Sequence, residues 1–300
     1  MAQYTSYDQV GKKEDVSDVI SNITPTKVPF QAMIGNERVS NTLFQWQEDE
    51  LRAVTVNAKV EGFTAADATL TATTMRNNYT QILEKTIKIS ETADAVATYG
   101  RAKESAYQLS KAGAELRRDL EHAMVGTKQT AVAGDSSTAR KFAGYQAQVA
   151  SGNFTYTGAV SGVANALDEG DLLAAMQDLY NEGADPSVAM VTPTNSLIVA
   201  DFAKASGRNR DFASGKSVVN AVDLYVSPFG EVKVYLNRFL AAGDTLVFDP
   251  EMWKQCTLRP WARETLAKDG DNMKMMIVGE YSLKHKNQKA SAVIREGAAP

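Results

Sequence analysis

The stretch between residues 42 and 90 constrains this chain more than any other. "TLFQWQEDELRAVTV" alternates at its start, with Leu43, Gln45 and Gln47 on one side and Phe44 and Trp46 on the other. "YTQILEKTIKIS" alternates again, setting Leu83, Lys85, Ile87 and Ile89 against Ile82, Glu84, Thr86 and Lys88. Between them, "EGFTAADATLTATTMRNNYTQ" is mostly Thr, Ala, Asn and Asp, and Phe63, Leu70, Met75 and Tyr79 are its only large apolar residues. The pattern predicts two long strands joined by a wide tip. Two arms of about twelve residues reach roughly 40 Å at ~3.3 Å per residue. A two-stranded ribbon alone in water is marginal at best. A chain that carries one must rest it on something else.

The rest of the chain is ordinary globular material. Its 300 residues are 44% hydrophobic and 23% charged, enough for about two domains of average size. The net charge of −4 and pI near 5.4 provide no global basic field for nucleic acid or anionic lipid. The one cysteine, Cys256, excludes an internal disulfide and fits a reducing compartment. No basic start followed by an apolar run occurs in residues 1–30, and no stretch approaches ~20 apolar residues. Neither secretion nor a membrane partner is expected.

Residues 1–40 read as an arm, with one short apolar stripe (Val16, Val19, Ile20, Ile23) before "TPTKVPF", where Pro25 and Pro29 enforce extended backbone. "GRAKESAYQLSKAGAELRRDLEHAMVG" predicts a long helix over 101–126. Its narrow stripe is Ala102, Ala106, Leu109, Gly113, Leu116, Leu120 and Met124, with Gly126 as a stop. Lys111–Glu115 and Arg117–Glu121 are spaced for i, i+4 pairs. The helix spans about 40 Å at ~1.5 Å per residue, matching the ribbon.

"GTKQTAVAGDSSTARKFAGYQ" reads as loop, and from about residue 168 helices and strands alternate. Thr192-Pro193 is a favoured helix start, and Ser227-Pro228-Phe229-Gly230 a turn between strands. The end is strand-rich, with Asp269-Gly270 as hairpin turn.

Catalytic readings find little support. His122 and His285 stand in no metal-ligand spacing. Ser-Gly-Lys-Ser at 214–217 imitates a phosphate loop, but Arg210 stands where glycine is required. Cys256, between Trp253 and Trp261, fits a buried thiol better than a nucleophile. No catalytic residue, cofactor or metal is expected.

Charge distribution says more than charge total. Over 48–69, Glu48, Asp49, Glu50, Glu61 and Asp67 against Arg52 and Lys59 leave −3. Over 101–128, six basic residues, including Arg117 and Arg118, against Glu104, Glu115, Asp119 and Glu121 leave +2. An acidic ribbon and a basic helix of equal length can pair between subunits; uneven surface charge explains the same numbers equally well.

"RNNYTQILEKTIKISETADAV", "AYQLSKAGAELRRDLEHAMV", "AGDSSTARKFAGY" and "FDPEMWKQCTLRPWARETLAKDGDNMKMMIVGEYSLKHKNQKASAVI" resemble the major capsid proteins of tailed bacteriophages, whose fold is shared with encapsulins and the herpesvirus shell floor. The resemblance implies an α+β fold with an N-terminal arm (1–40) and an extended loop (41–90). It implies a peripheral domain (91–165 and 237–300) with a spine helix (101–126), and an axial α/β domain (166–236). It implies a homo-oligomer of hexamers and pentamers in an icosahedral virion capsid around double-stranded DNA, assembled in the host cytoplasm with a portal protein. The short arm implies a separate scaffolding protein. The expected intersubunit contacts are Trp46, Lys59, Glu61, Phe63, Leu70, Arg117 and Arg118, with Lys59 the one lysine in the tip placed for the covalent cross-link of some family members. An encapsulin-like compartment is the alternative. A small-molecule enzyme on residues 166–236 is the second, and it would demand a cluster of perturbed ionisable groups.

Overall fold

The structure, a computed structural model, describes residues 27–65, 67–96, 103–160, 163–164, 166–205 and 224–297. The stripe from Val16 to Ile23, Ala102 and the stretch at 214–217 lie outside the described residues. The chain enters at helix α1 (Pro29–Met33), follows strand β1 (Gly35–Arg38) and leaves the body along β2 (Leu43–Glu48). It returns through β3 (Thr74–Tyr79) and β4 (Gln81–Ser90) to helices α2 (Glu91–Ala95) and α3 (Glu104–Val125). Helix α4 (Tyr145–Gln148), β5 (Phe154–Tyr156) and the small pair β6 (Ala159–Val160) and β7 (Val163–Ala164) follow. Next come α5 (Glu169–Asn181), β8 (Val188–Val191), α6 (Pro193–Ala205), β9 (Leu224–Ser227) and β10 (Gly230–Leu236). Strands β11 (Asp244–Phe248), β12 (Trp253–Thr265), β13 (Asn272–His285) and β14 (Ser291–Arg295) complete the chain.

Two sheets organise the body. The larger has the order β5-β14-β11-β8-β10-β9. On one face Ala189, Val191, Tyr225 and Val232 meet Leu172, Met176, Leu179 and Val199 of α5 and α6. On the other, Val188, Met190, Leu246, Phe248 and Val293 join Phe30, Leu120, Met124, Phe142, Tyr145 and Trp253. Burial on both faces explains the unbroken apolar run of β8. Local signals agree with this layout. Asp168 and Asp171 form a reciprocal capping box at the start of α5, and Gly183 just past its end takes φ +82°. The Thr192 hydroxyl accepts from Asn195 N at 3.2 Å to open α6.

The smaller sheet, β1-β12-β13-β4, lies under α3. Leu109, Ala112 and Leu116 of the helix pack on Leu83, Ile87, Trp261 and Ile277. The buried side of α3 is rotated from the expected stripe: Ala106 is exposed, while Ser105, Ala112, Leu116, Leu120, Ala123 and Met124 are buried. The last turn is embedded almost all round, because α1 and the 237–240 loop cover its outer side. The expected Arg117–Glu121 pair is therefore absent. Glu121 is fully buried and accepts from Phe30 N (2.8 Å), Gln31 N (3.1 Å), Gln31 Nε2 (3.1 Å) and Asn237 Nδ2 (2.7 Å). It caps α1 from another element, since no side chain of α1 itself does so. Gly126 ends the helix without left-handed backbone (φ −103°), and a Cβ there would lie 2.2 Å from the carbonyl oxygen of Phe239.

The ribbon differs most from expectation. Its return arm is two strands, not one. β3 pairs with β2 from Leu43↔Tyr79 to Glu48↔Thr74, and β4 turns into the body to pair with β13 from Gln81↔Tyr281 to Ser90↔Asn272. Thr80 is the pivot: its N donates to Thr42 O (2.9 Å) and its hydroxyl to Glu280 (2.6 Å). Alternation shows that a segment is a strand without showing its partner, so two strands in line read as one.

Candidate assembly surface

The ribbon base is built by anchors on both sides of the β2–β3 pair. Asn78 is fully buried, donating to the carbonyls of Leu283 (2.6 Å) and Ala143 (3.2 Å) and accepting from Ala143 N (2.7 Å). Glu48 accepts from Arg76 Nε (2.9 Å) and Gln288 N (3.2 Å). Lys289 bridges Glu50 (3.0 Å) to Glu182 (3.1 Å), tying the ribbon to the end of α5. Beneath Thr80, Glu280 is held by Thr80, Arg259 (3.0 Å) and Arg140. Burial opposes its ionisation, but those hydrogen bonds and the Arg140 charge outweigh burial and keep its pKa below the usual value.

Beyond the base, residues 49–73 form no helix or strand among the described residues. Leu51 (99%), Val54 (102%) and Val56 (96%) are as exposed as in an unfolded chain, and Val60, Phe63 and Leu70 are also exposed. Apart from Phe63 N to Val60 O (3.2 Å), no backbone group of the described residues 57–73 has a hydrogen-bond partner among the described residues. A monomer rarely presents so many bare apolar side chains together.

The residues expected at contacts fall into two groups. Lys59, Glu61, Phe63 and Leu70 share this loop and are exposed. Trp46 sits half-buried at its root, stacked on Phe44 (5.7 Å, 24°), with Lys284 Nζ 5.9 Å from its ring. Arg117 and Arg118 lie apart on α3, Arg117 exposed and Arg118 over the Phe239 ring at 5.7 Å. The buried Trp46 Nε1 and Arg118 Nε find no acceptor among the described residues. The sequence does not mark Leu51, Val54 and Val56 as contact residues, because "LRAVTV" reads as continuing β2. The acid run Glu48-Asp49-Glu50 was the signal that pairing stops there.

The groups that could do chemistry are committed to packing. His285 stacks on Trp253 (3.9 Å, 4°); Ser291 Oγ lies 2.9 Å from its Nε2, and Gln148 O lies 3.2 Å from its Nδ1. Burial lowers its pKa to about 3, so the ring is neutral. Burial pushes the Cys256 thiol up to about 12, which keeps it protonated. Asp135, with two backbone and two hydroxyl donors from Ser137 and Thr138, is held at about 2 and shapes the loop before α4.

The SU10 major capsid protein family model matches residues 3–298. The major capsid protein of Escherichia phage Phieco32 is 33% identical, covering 97% of this chain and 96% of that one. Among solved structures, the Cyanophage A-1(L) capsid asymmetric unit superposes with TM-score 0.72 at 12% identity, covering 98% of this chain and 99% of its own. The holo-SrpI encapsulin complex of Synechococcus elongatus PCC 7942 gives 0.63 at 10% identity, covering 98% and 96%. These two likenesses show a shared fold. With a match over nearly its whole length and a 33% identical relative of the same description, the chain belongs to the SU10 major capsid protein family.

Proposed function

We propose that copies of this chain assemble as hexamers and pentamers into the icosahedral head of a tailed phage, enclosing double-stranded DNA. In this reading residues 1–40 are the arm, which ends in α1 and β1 of the body, and 41–90 the extended loop, of which residues 49–73 are laid over a neighbour while β4 stays in the small sheet. Residues 91–165 and 237–300, with the spine helix, form the peripheral domain, and 166–236 the axial domain. A separate scaffolding protein and a portal are the other partners, and assembly precedes release from the host cytoplasm. One observation carries the reading: Leu51, Val54 and Val56 are bare on a loop with nearly no internal hydrogen bonds. Burial of each such side chain is worth about 1.5–3 kcal/mol, and nothing among the described residues supplies it.

Charge favours the same neighbour. Glu48 and Glu50 are paired within the chain, which leaves Asp49, Glu61 and Asp67 on the loop against Arg52 and Lys59, a net −1. On α3, Glu121 is buried and Glu115 is held by Lys85 and Lys111, so Arg117 and Arg118 remain outside any ion pair among the described residues. A neighbour's loop carboxylates are the natural counter-ions for them.

The test is a deletion. Because Glu48 and Thr74 are register partners, residues 52–71 can be replaced by a short Gly/Ser turn without disturbing Asn78 or Thr80. The shortened chain is expected to stay folded by circular dichroism and to form no shells by electron microscopy, where the intact chain does. Normal shells from the shortened chain overturn the clamp. Wild-type shells filled with an enzyme instead of DNA favour the compartment reading.

A further inference from the structure

The small sheet ends in an open edge. β4 has β13 on one side and, among the described residues, no strand on the other, and it runs ten residues from Gln81 to Ser90. No hydrogen bond to the outward-pointing backbone groups of residues 81–90 occurs among the described residues. Natural sheets rarely leave an edge of this length unpaired, since it is a template for another strand. Its outer face carries Ile82, Glu84, Thr86 and Lys88, all exposed, while Leu83 and Ile87 lean toward α3.

The free loop carries the complementary piece. Residues 68–73, "ATLTAT", alternate strictly: Ala68, Leu70 and Ala72 on one side, Thr69, Thr71 and Thr73 on the other. Threonine and strict alternation suit a strand with one apolar face, yet these residues have no ladder partner among the described residues. We infer that residues 68–73 of one subunit add as a fifth strand to the β4 edge of a second copy, Leu70 turned toward the α3 side and the threonines toward the Thr86 side. Main-chain bonds then give the affinity and the alternation fixes the register.

The occupant is a second copy because the same chain cannot reach. Strand β3 is locked to β2 up to Glu48↔Thr74, so Thr73 stands six strand residues, roughly 20 Å at ~3.3 Å each, from the start of β4. Residues 73 back to 68 would span about that distance again, and would be spent before lying alongside Ile82–Lys88. The inference rests on the shell reading above and names the contact its loop makes.

Cysteine cross-linking tests it. The only native cysteine is buried, so the background is low. Two single-cysteine chains are mixed before assembly: one carries Thr69→Cys, Thr71→Cys or Thr73→Cys, the other Glu84→Cys, Thr86→Cys or Lys88→Cys. Only contacts between copies can give a disulfide. The expected result is a dimer band on non-reducing gels for at least one pair, falling off at least fivefold for pairs two residues out of register. Shells that assemble while all nine pairs stay monomeric overturn the strand addition and leave the shell reading standing. A wild-type chain that never assembles overturns both. The double substitution Thr69→Pro with Thr71→Pro, and separately Ala68→Pro with Leu70→Pro, removes donors from either edge of the added strand. One of the two is expected to raise the concentration needed for assembly at least tenfold with the subunit fold unchanged; no effect from either counts against the inference.

Discussion

The floor around Trp253 and the loop at 49–73 belong to one chain and obey opposite rules. In the floor, Trp253 is stacked between Tyr145 (4.4 Å, 16°) and His285, and Phe30 sets its edge against Tyr145, Phe248 and Trp253. The polar tips are all engaged: Trp253 Nε1 donates to Ser291 Oγ (2.9 Å), and Tyr145 Oη to the carbonyls of Val247 and Ala292 (3.2 Å each). The loop has the reverse, bare apolar side chains and unpaired backbone. A buried polar group without a partner costs more than a bond gains, so a region that finishes its own pairing is fixed before assembly. A region that leaves it unfinished retains binding capacity for a partner. The division between them falls at Thr80 and Asn78, where the ribbon root is tied down.

The sharpest way to break the contrast is to open the closed side at Glu121. Burial raises its pKa, and the bonds from Phe30, Gln31 and Asn237 pull the other way. Glu121→Ala orphans these donors, the Phe30 amide and Asn237 Nδ2 in buried surroundings. The expected loss is about 2–6 kcal/mol at about 1–3 per orphaned group, read by urea unfolding of the subunit. A loss under about 1 kcal/mol would mean α1 simply lifts away into water, and the floor is less closed than its geometry implies.

How much of this was legible beforehand follows the same division. Helices α5 and α6, the Thr192-Pro193 start, the Ser227–Gly230 turn and the Asp269-Gly270 hairpin are local, and local chemistry announced them. The long helix was legible as a helix, but its buried side depended on α1 and the 237–240 loop, distant in sequence. Glu121 looked like half of a surface pair because spacing records only neighbours along the helix. Nothing in "EHAMVG" shows that Phe30 arrives from ninety-one positions away. The unsupported ribbon locates the loop in the sequence, yet nothing there marks Leu51, Val54 and Val56 as bare. An exposed valine and a buried one look alike until the partner strand is known.

A smaller effect sharpens the comparison through pH. His285 is neutral in the fold, with its pKa depressed from 6.5 to about 3 by burial. A depressed base works as follows: below about pH 6.5 only the unfolded chain takes the proton, so this contribution is present above that pH and lost as pH falls toward 3. The slope is about 1.4 kcal/mol per pH unit. Glu121, raised, acts in the opposite sense, its contribution lost as pH rises through its folded value. Glu280, lowered, loses its contribution as pH falls through its folded value. Comparing wild type with His285→Gln removes both. Between about pH 6 and 4 the variant's stability is expected to fall less steeply, by roughly 1.4 kcal/mol per unit. Parallel slopes would show that the imidazole charges inside the folded floor.

The smallest effect on the subunit is the most telling. Leu51→Ser, Val54→Ser and Val56→Ser change side chains that nothing among the described residues covers, so unfolding of the subunit is expected to shift by no more than about 0.5 kcal/mol. If a neighbour buries these side chains at about 1.5–3 kcal/mol each, the concentration needed for assembly rises far more than tenfold, since about 1.4 kcal/mol already gives that factor. Sedimentation of shells against subunits across a dilution series reads it directly. A stability loss like that of Glu121→Ala would place the loop on its own subunit and erase the contrast. Unchanged assembly would strip the bare residues of their role. A large assembly defect on an unaltered fold is the combination that a region completed only by its neighbours must give, because its side chains have no energy at stake until the second copy arrives.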